Sequence, residues 1–328
     1  MKPLFQVIAN DTDITNKLVD RLISLTVIDE RGLQSDSVEI RLDDRDSALA
    51  LLTTGAELQI SLGYEDQGAK RSLYPMGLYT VDEIGLEGPP DTYVIRAKAA
   101  DMRESLKQQK TRAWDDTTLG DIVAAIAAEH GLQPRVSNTL GAVAVPHLSQ
   151  TEESDVHLLT RLAKDHDAVA KPADGRLLFV PKGQARSASG KEIKPISIHK
   201  TQCSRWRVVL ADRSKYQAVI AHWNNTRTGV RTPEKAGSGK PVYTLRGTRR
   251  TQAAAQEAAM AKLGALKRGA GTGNITIKGG ALNVMAETPL QLSGWRDGID
   301  NTWITMRAEH RLDNGGLNTL LDIEAPKR

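Results

Sequence analysis

The sequence predicts an α+β protein that is mainly β, with two β regions flanking a small helical α/β region. Three observations carry this. Over residues 1–100, apolar and polar side chains alternate with a period of two in one short run after another, which is the signature of half-buried strands. Between residues 117 and 165 the spacing changes to three and four, which gathers apolar side chains on one helical face. From residue 204 the strand pattern returns. A chain of 328 residues is long enough for two or three domains with buried cores. The expected division is 1–100, 101–185 and 186–328.

The elements follow in order. RLISLTVID (21–29) is rich in β-branched and aliphatic residues, and ERG (30–32) breaks it. SVEIRL (37–42) alternates Val38, Ile40 and Leu42 with polar residues, and AELQISLGY (56–64) does the same with Leu58, Ile60 and Leu62. GLYTVDEIGL (77–86) and TYVIRAKAA (92–100) are separated by the turn-forming EGPPD. Five short strands with turns between them predict a small barrel or sandwich. TTLGDIVAAIAAEHG (117–131) predicts a helix capped by Thr117 or Thr118 and ended by Gly131. A second helix starts at Ser154, whose hydroxyl suits an N-cap, with Val156, Leu159, Leu162 and Ala163 facing a core. AVAK and RLLFV then flank PADG, whose Asp174-Gly175 pair predicts a hairpin turn. SASGKEIKP (187–195) reads as a linker, and SRWRVVLAD (204–212) and YQAVIAHW (216–223) as strands. NNTRTGVRTPEKAGSGKP (224–241) is polar and rich in Gly, Pro and basic residues, which predicts an exposed, mobile loop. Residues 248–269 read as one alanine-rich helix, and NITIKG, PLQLSGW, NTWITMRAEHRLD and NTLLDIEA as closing strands. No internal repeat is evident.

Composition narrows the function classes. Hydrophobic residues at 40% and charged residues at 26% describe a globular chain and exclude wholesale disorder. Aromatics at 4% are too sparse for a base-stacking platform. The single Cys203 excludes an internal disulfide. The N-terminus lacks a signal-peptide run, and no stretch is apolar enough to span a membrane. Assembly in a cytoplasm is the expectation. Charge is unevenly placed: residues 1–116 hold 14 Lys/Arg against 21 Asp/Glu, residues 117–185 hold 6 against 8, and residues 186–328 hold 24 against 11. An acidic first part and a basic last part point to partners of both signs.

No motif reaches a catalytic constellation. Glu152, Glu153 and Asp155 cluster as acids do in general acid–base sites, but carboxylates at a helix N-terminus are stabilising without chemistry. His157 and His166 lie nine residues apart, off any shared helical face, and no paired metal-ligand spacing occurs. His130, His147, His199, His222 and His310 are scattered. GAGTGN (269–274) follows a helix and precedes a strand, the reverse of a dinucleotide loop. GSGKP (237–241) lacks the upstream glycine of a phosphate loop and has Pro241 where Ser or Thr belongs. Cys203 beside Ser204 is no nucleophile elbow. Arg227, Arg231, Lys235, Lys240, Arg246, Arg249 and Arg250 form a basic set that suits a solvated face or a protein contact. The alternative reading of that set is a nucleic-acid-binding protein, and no recognition module supports it. A cell-wall hydrolase is a third reading, without its catalytic carboxylate motif.

Several segments, in order, resemble the late control protein D family, the tail hub (baseplate hub) proteins of contractile-tailed bacteriophages, which resemble the N-terminal part of type VI secretion spike proteins. They are VIDERGLQSDSVEIRLDD (27–44), GAELQISLGY (55–64), residues 76–127, the set Gln150, Glu153, Ser154, Asp155, Leu158, Leu159, Arg161, Leu162 and Ala163, and WITMRAEHRLDNGGLNTLLDIEA (303–325) around His310 and Gly315-Gly316. One departure is Asp167-Ala168, where many relatives carry a glycine after the helix. The resemblance implies two tube-type β-barrel domains, 1–100 and 186–328, with the helical α/β insertion domain between them. It implies a homotrimer in which three chains present six barrels, adapting the sixfold tail tube to the threefold spike and nucleating the baseplate. Implied partners are the chain itself, the tail spike and tail tube proteins, other baseplate proteins and the tape-measure protein, in a virion or headless tailocin assembled in the bacterial cytoplasm. It implies no enzyme activity, no cofactor, no metal, and a structural role for Gln150, Glu153, Ser154, Asp155, Arg161 and His310. The chain ends at Arg328 without a spike or lysozyme extension, so the needle is expected to be a separate protein. The opposed charges suggest that the basic last part meets the acidic first part of a neighbouring copy, a contact that high salt would weaken.

Overall fold

The computed structural model describes residues 2–66, 71–99, 104–173, 175–183, 193–210, 216–268 and 271–325. The protein is mostly β. The first region holds β1 (Lys2–Ala9), β2 (Thr12–Asp13), a single turn α1 (Thr15–Leu18), β3 (Leu22–Glu30), β4 (Ser37–Asp43), β5 (Glu57–Glu65), β6 (Arg71–Glu87) and β7 (Thr92–Ala99). The alternating residues Val38, Ile40, Leu42, Leu58, Ile60 and Leu62 all point into its core. Gly63 is required where β5 and β6 touch, because a Cβ there would lie 1.9 Å from the Ser72 carbonyl oxygen.

The middle region runs β8 (Gln109–Thr118), α2 (Leu119–Glu129), β9 (Gln133–Val136), α3 (Asn138–Gly141), β10 (Ala144–Ser154), α4 (Asp155–Asp165), β11 (Ala168–Ala173) and β12 (Arg176–Pro181). Thr118 caps α2 in a reciprocal box with Asp121. Ser154 caps α4 by accepting the His157 N–H at 3.3 Å. Asp167 has φ +51°, a left-handed conformation that Asp tolerates, so it serves at the turn after α4. β11 and β12 form the expected hairpin, although Asp174 itself lies outside the described residues. Leu119, Ile122, Val123 and Ile126 of α2 pack with Leu158, Leu159 and Leu162 of α4 against Leu177 and Phe179.

The last region holds β13 (Ile196–His199), β14 (Cys203–Leu210), β15 (Ala218–Asn225), β16 (Val230–Gly237), β17 (Val242–Arg249), α5 (Gln252–Arg268), β18 (Gly271–Lys278), β19 (Pro289–Ser293), β20 (Thr302–Asp313) and β21 (Gly316–Glu324). Two expectations need correction here. Residues 224–241 are no mobile loop: β15 and β16 pair through eight registered positions, and Pro233 fits because β16 is an edge strand. The alanine-rich helix starts at Gln252 rather than 248, since Thr248 and Arg249 pair with His222 and Trp223 as the end of β17. The linker expected over 187–195 lies largely outside the described residues.

The two β regions are joined by a strand pair. β3 pairs with β20, so strands of the first and last regions share one sheet, in the order β14-β18-β21-β20-β3-β4-β7-β6. Every neighbouring pair in that run is antiparallel. β6 then bends, and its first half continues the sheet to β5 and β1. β15, β16 and β17 form a separate three-stranded sheet covered by α5, with a small core of Val219, Ala221, Ala236, Ala255 and Ala259.

Candidate functional site

Among the described residues, two buried ionic clusters and two unpaired flanks of the large sheet are features that a structural role would use. The first cluster surrounds Asp155, whose side chain is wholly buried. β8 and β10 pair antiparallel, and the period-two order Lys110, Arg112, Trp114 along β8 turns all three toward the start of α4. Lys110 Nζ donates to Asp155 Oδ2 at 2.7 Å, and Arg112 Nη2 donates to Oδ1 at 2.7 Å. Gln150 Nε2 donates to Oδ1 at 2.8 Å, and its carbonyl oxygen accepts from Arg112 Nε at 2.8 Å and Trp114 Nε1 at 3.3 Å. Glu129 closes the set, taking Lys110 at 2.6 Å and pairing with Arg112. The Arg112 guanidinium also sits 4.4 Å from the centre of the Trp114 ring. Burial pushes the Asp155 carboxyl up, but the donors Lys110, Gln150 and His130 and the charge of Arg112 outweigh it and hold it at about 2.

Ser105 Oγ lies 2.8 Å from His130 Nδ1, and His130 Nε2 lies 2.9 Å from Asp155 Oδ2. This order mimics a nucleophile–base–acid line. Here, however, the carboxylate is already saturated by Lys110, Arg112 and Gln150, and the imidazole is buried, so the arrangement pins three elements together. Glu129, His130 and Asp155 also offer ligand atoms within 4.8 Å of one another. Lys110 Nζ contacts both carboxylates, and with Arg112 it supplies the positive charge a metal would bring, so the donor set does not fit a metal.

The sequence-derived residues divide. Gln150 and Asp155 join this cluster. Glu153 lies beside it and pairs with Arg161 at 2.6 Å, and Ser154 caps α4. The acids read as charges at a helix N-terminus divide: Asp155 does stand in the first turn of α4, whereas Glu152 and Glu153 precede it in β10. Asp155 is buried against β8, and Glu152 sits outside the helix in a β10 bulge with φ +48°. His157 and His166 do not meet as ligands; His166 faces Glu257 of α5 at 3.2 Å. His310 is far away and buried, accepting from Thr319 Oγ1 at 2.8 Å and donating to the Val284 carbonyl at 3.1 Å. Burial lowers its pKa. Lys110, Arg112, Glu129, His130 and Ser105 were missed; the alternation along β8 was the available signal.

The second cluster joins all three regions. Lys171 of β11 pairs with Asp29 at the end of β3, and donates to the Glu30 carbonyl at 2.7 Å and to Asp36 at 2.9 Å. Asp29 Oδ2 in turn accepts the Ala286 N–H at 2.6 Å. Next to it Glu30 takes Arg307 of β20 at 2.9 Å, and Arg31 reaches Glu324 at 2.5 Å and Glu287 at 3.3 Å. Burial and then the Asp29 charge push Asp36 up to about 6, despite Lys171. A folded-state pKa above the unfolded value of about 3.9 means that the folded chain takes up a proton as pH falls from about 6 to about 4. This group's stability contribution therefore rises over that window. Asp36→Asn should remove the rise, so the urea midpoint difference between wild type and variant should shift toward wild type from pH 7 to pH 5.

The free edges lie at opposite ends of the eight-strand run. β14 pairs only with β18, and β6 beyond Val81 has only β7, among the described residues. β14 exposes Trp206, Val209 and Leu210, the last to 58%, and β6 exposes Leu86 to 64%. Arg205 and Arg207 on β14 have no acidic partner among the described residues, whereas Asp82, Glu83 and Glu87 line the β6 edge.

Free strand edges and internal charge networks are features that a structural assembly component can use. Comparisons with known proteins agree. The description "Phage tail baseplate hub (GPD)" belongs to the family whose profile matches residues 31–316. The probable baseplate hub protein of Escherichia phage 186 is 34% identical over 99% of this chain and 93% of its own length. In fold, the chain is similar to a tail protein from Neisseria meningitidis MC58, with TM-score 0.71, 12% identity and 99% and 97% of the two chains covered. It is also similar to an E. coli protein described as a type VI secretion component with structural similarity to T4 tail proteins, with TM-score 0.56, 9% identity and 94% and 74% covered. The chain belongs to the phage tail baseplate hub (GPD) family. It is a structural baseplate hub protein of a contractile phage tail.

Proposed function

We propose that this hub acts as a trimeric symmetry adaptor between the tail tube and the spike, nucleating the baseplate. One observation carries the reading: within the large sheet the eight strands from β14 to the second half of β6 are all antiparallel, and among the described residues that stretch has an unpaired flank at each end. Because eight is even, β14 of one copy meets β6 of the next with strand alternation preserved. Such a head-to-tail contact continues the sheet and closes into a ring when the rotation allows. Each copy brings a first β region (1–100) and a last β region (186–328), so three copies supply six. That number suits a sixfold tube on one side and a threefold spike on the other. The insertion (101–185) then stands outside the ring, held by the Lys171 junction. The chain has no catalytic task in this reading.

The exposed apolar residues at the two edges test it. Leu86→Asp and Leu210→Asp should each leave monomer stability within about 0.5 kcal/mol, since both side chains face solvent. Each should weaken self-association at least about tenfold, because a charge would be buried in the edge contact. Sedimentation equilibrium reads the association and urea unfolding reads the fold. Unchanged association in both variants would contradict the edge-to-edge ring.

A further inference from the structure

β14 and β18 are neighbours in the sheet, yet residues 211–270 separate them in sequence. The described part of this insertion, 216–268, has its own three-stranded sheet, helix and core. It holds ten Lys/Arg and two Asp/Glu, a net charge of +8. Its attachment to the rest of the chain uses Arg249 on Asp165 at 3.0 Å and Glu257 on His166 at 3.2 Å. Lys235 and Lys240 are exposed and have no ion pair among the described residues. Both lie at the end of the small sheet where Gly237 and Val242 pair with Ala218. Leu263 of α5 closes that end against Gly237, and α5 leads on to Gly271, the register partner of Leu210. The basic end of the module is therefore the end tethered beside Leu210.

Strand direction says what this end meets, if the ring proposed above is correct. β14 running antiparallel to β6 of the next copy places Leu210 at the Val81–Asp82 end. There Val81 exchanges backbone hydrogen bonds with Gly55 and Ala56 at 2.8 and 2.9 Å, and Glu57 is bonded to Asn10. Asp11 and Glu57 are exposed at this corner without ion pairs among the described residues, and Asp82 adds a third acid. We infer that the 216–268 module is an electrostatic clamp on a second copy of this chain, with Lys235 and Lys240 facing Asp11 and Glu57 of the neighbour.

The test is a charge-swap cycle on the full chain, read by sedimentation equilibrium at low and high salt. Lys235→Glu with Lys240→Glu, and separately Asp11→Lys with Glu57→Lys, should each weaken association about tenfold at low salt. The combined four-residue variant should return to within about threefold of wild type, which also shows that the substituted chains fold. The effects should shrink at high salt. If wild type associates and both reversals leave it unchanged, the clamp is wrong and the ring stands. If wild type stays monomeric even with its spike protein, ring and clamp fall together. If the lysine reversal spares association but abolishes retention of a DNA duplex, the face serves nucleic acid and the clamp is overturned.

Discussion

Lys171→Ala should destabilise the chain by about 3–5 kcal/mol, because it leaves two carboxylates buried without their shared cation. Asp29 and Asp36 would then face each other across a site that is largely closed to water. The loss should spread over all three regions, since Asp29 also holds the Ala286 N–H and Asp36 holds the Glu30 N–H at 2.8 Å. Hydrogen exchange should show lost protection in β3, in the β11–β12 hairpin and around Ala286 together. Adding Asp29→Asn and Asp36→Asn to Lys171→Met should recover most of the stability, because the amides keep acceptors for both N–H groups while no charge stays buried. Loss confined to the hairpin would contradict the view that this cluster joins the three regions.

Asp155→Ala is the second large effect, again about 3–5 kcal/mol. It removes the buried one of the two carboxylates that pair with Lys110 and Arg112, leaving the half-exposed Glu129, and takes a hydrogen-bond partner from His130 and Gln150. The expected damage is local: α2, α4 and the β8–β10 pair should become protease-sensitive while the large sheet survives. The acid dependence has the opposite sign to that of Asp36. A carboxyl held at about 2 stabilises the fold above its unfolded value of about 3.9, and that contribution is lost as pH falls toward 2. Wild type should therefore lose its advantage over the Asp155→Ala variant between about pH 4 and pH 2, a window separate from that of Asp36.

The strands with plain alternation were legible in the sequence. Val38-Ile40-Leu42 and Leu58-Ile60-Leu62 announce β4 and β5, because one face of each is buried and the other is not. The caps Thr118 and Ser154 were legible for the same local reason. β8 was not read, since its inward residues are Lys110, Arg112 and Trp114 rather than aliphatics, and a charged alternation resembles a solvated loop. β16 was missed because Gly, Pro and basic residues signal a turn, while an edge strand tolerates all three. Asp155 was noticed but given a helix-capping role. Its partners lie 43 and 45 residues upstream, and the β8–β10 pairing brings them together. The β3–β20 pairing, which merges the two β regions into one sheet, joins segments nearly 300 residues apart, and no local pattern encodes it.

The most direct test of the hub reading is the mass of the purified chain in solution, by light scattering, alone and mixed with the spike protein of its own tail. The expected result is a species three times the 35.7 kDa chain in at least one sample, lost in the Leu86→Asp and Leu210→Asp variants. A monomer in both samples, with no complex formed, would contradict the trimeric adaptor.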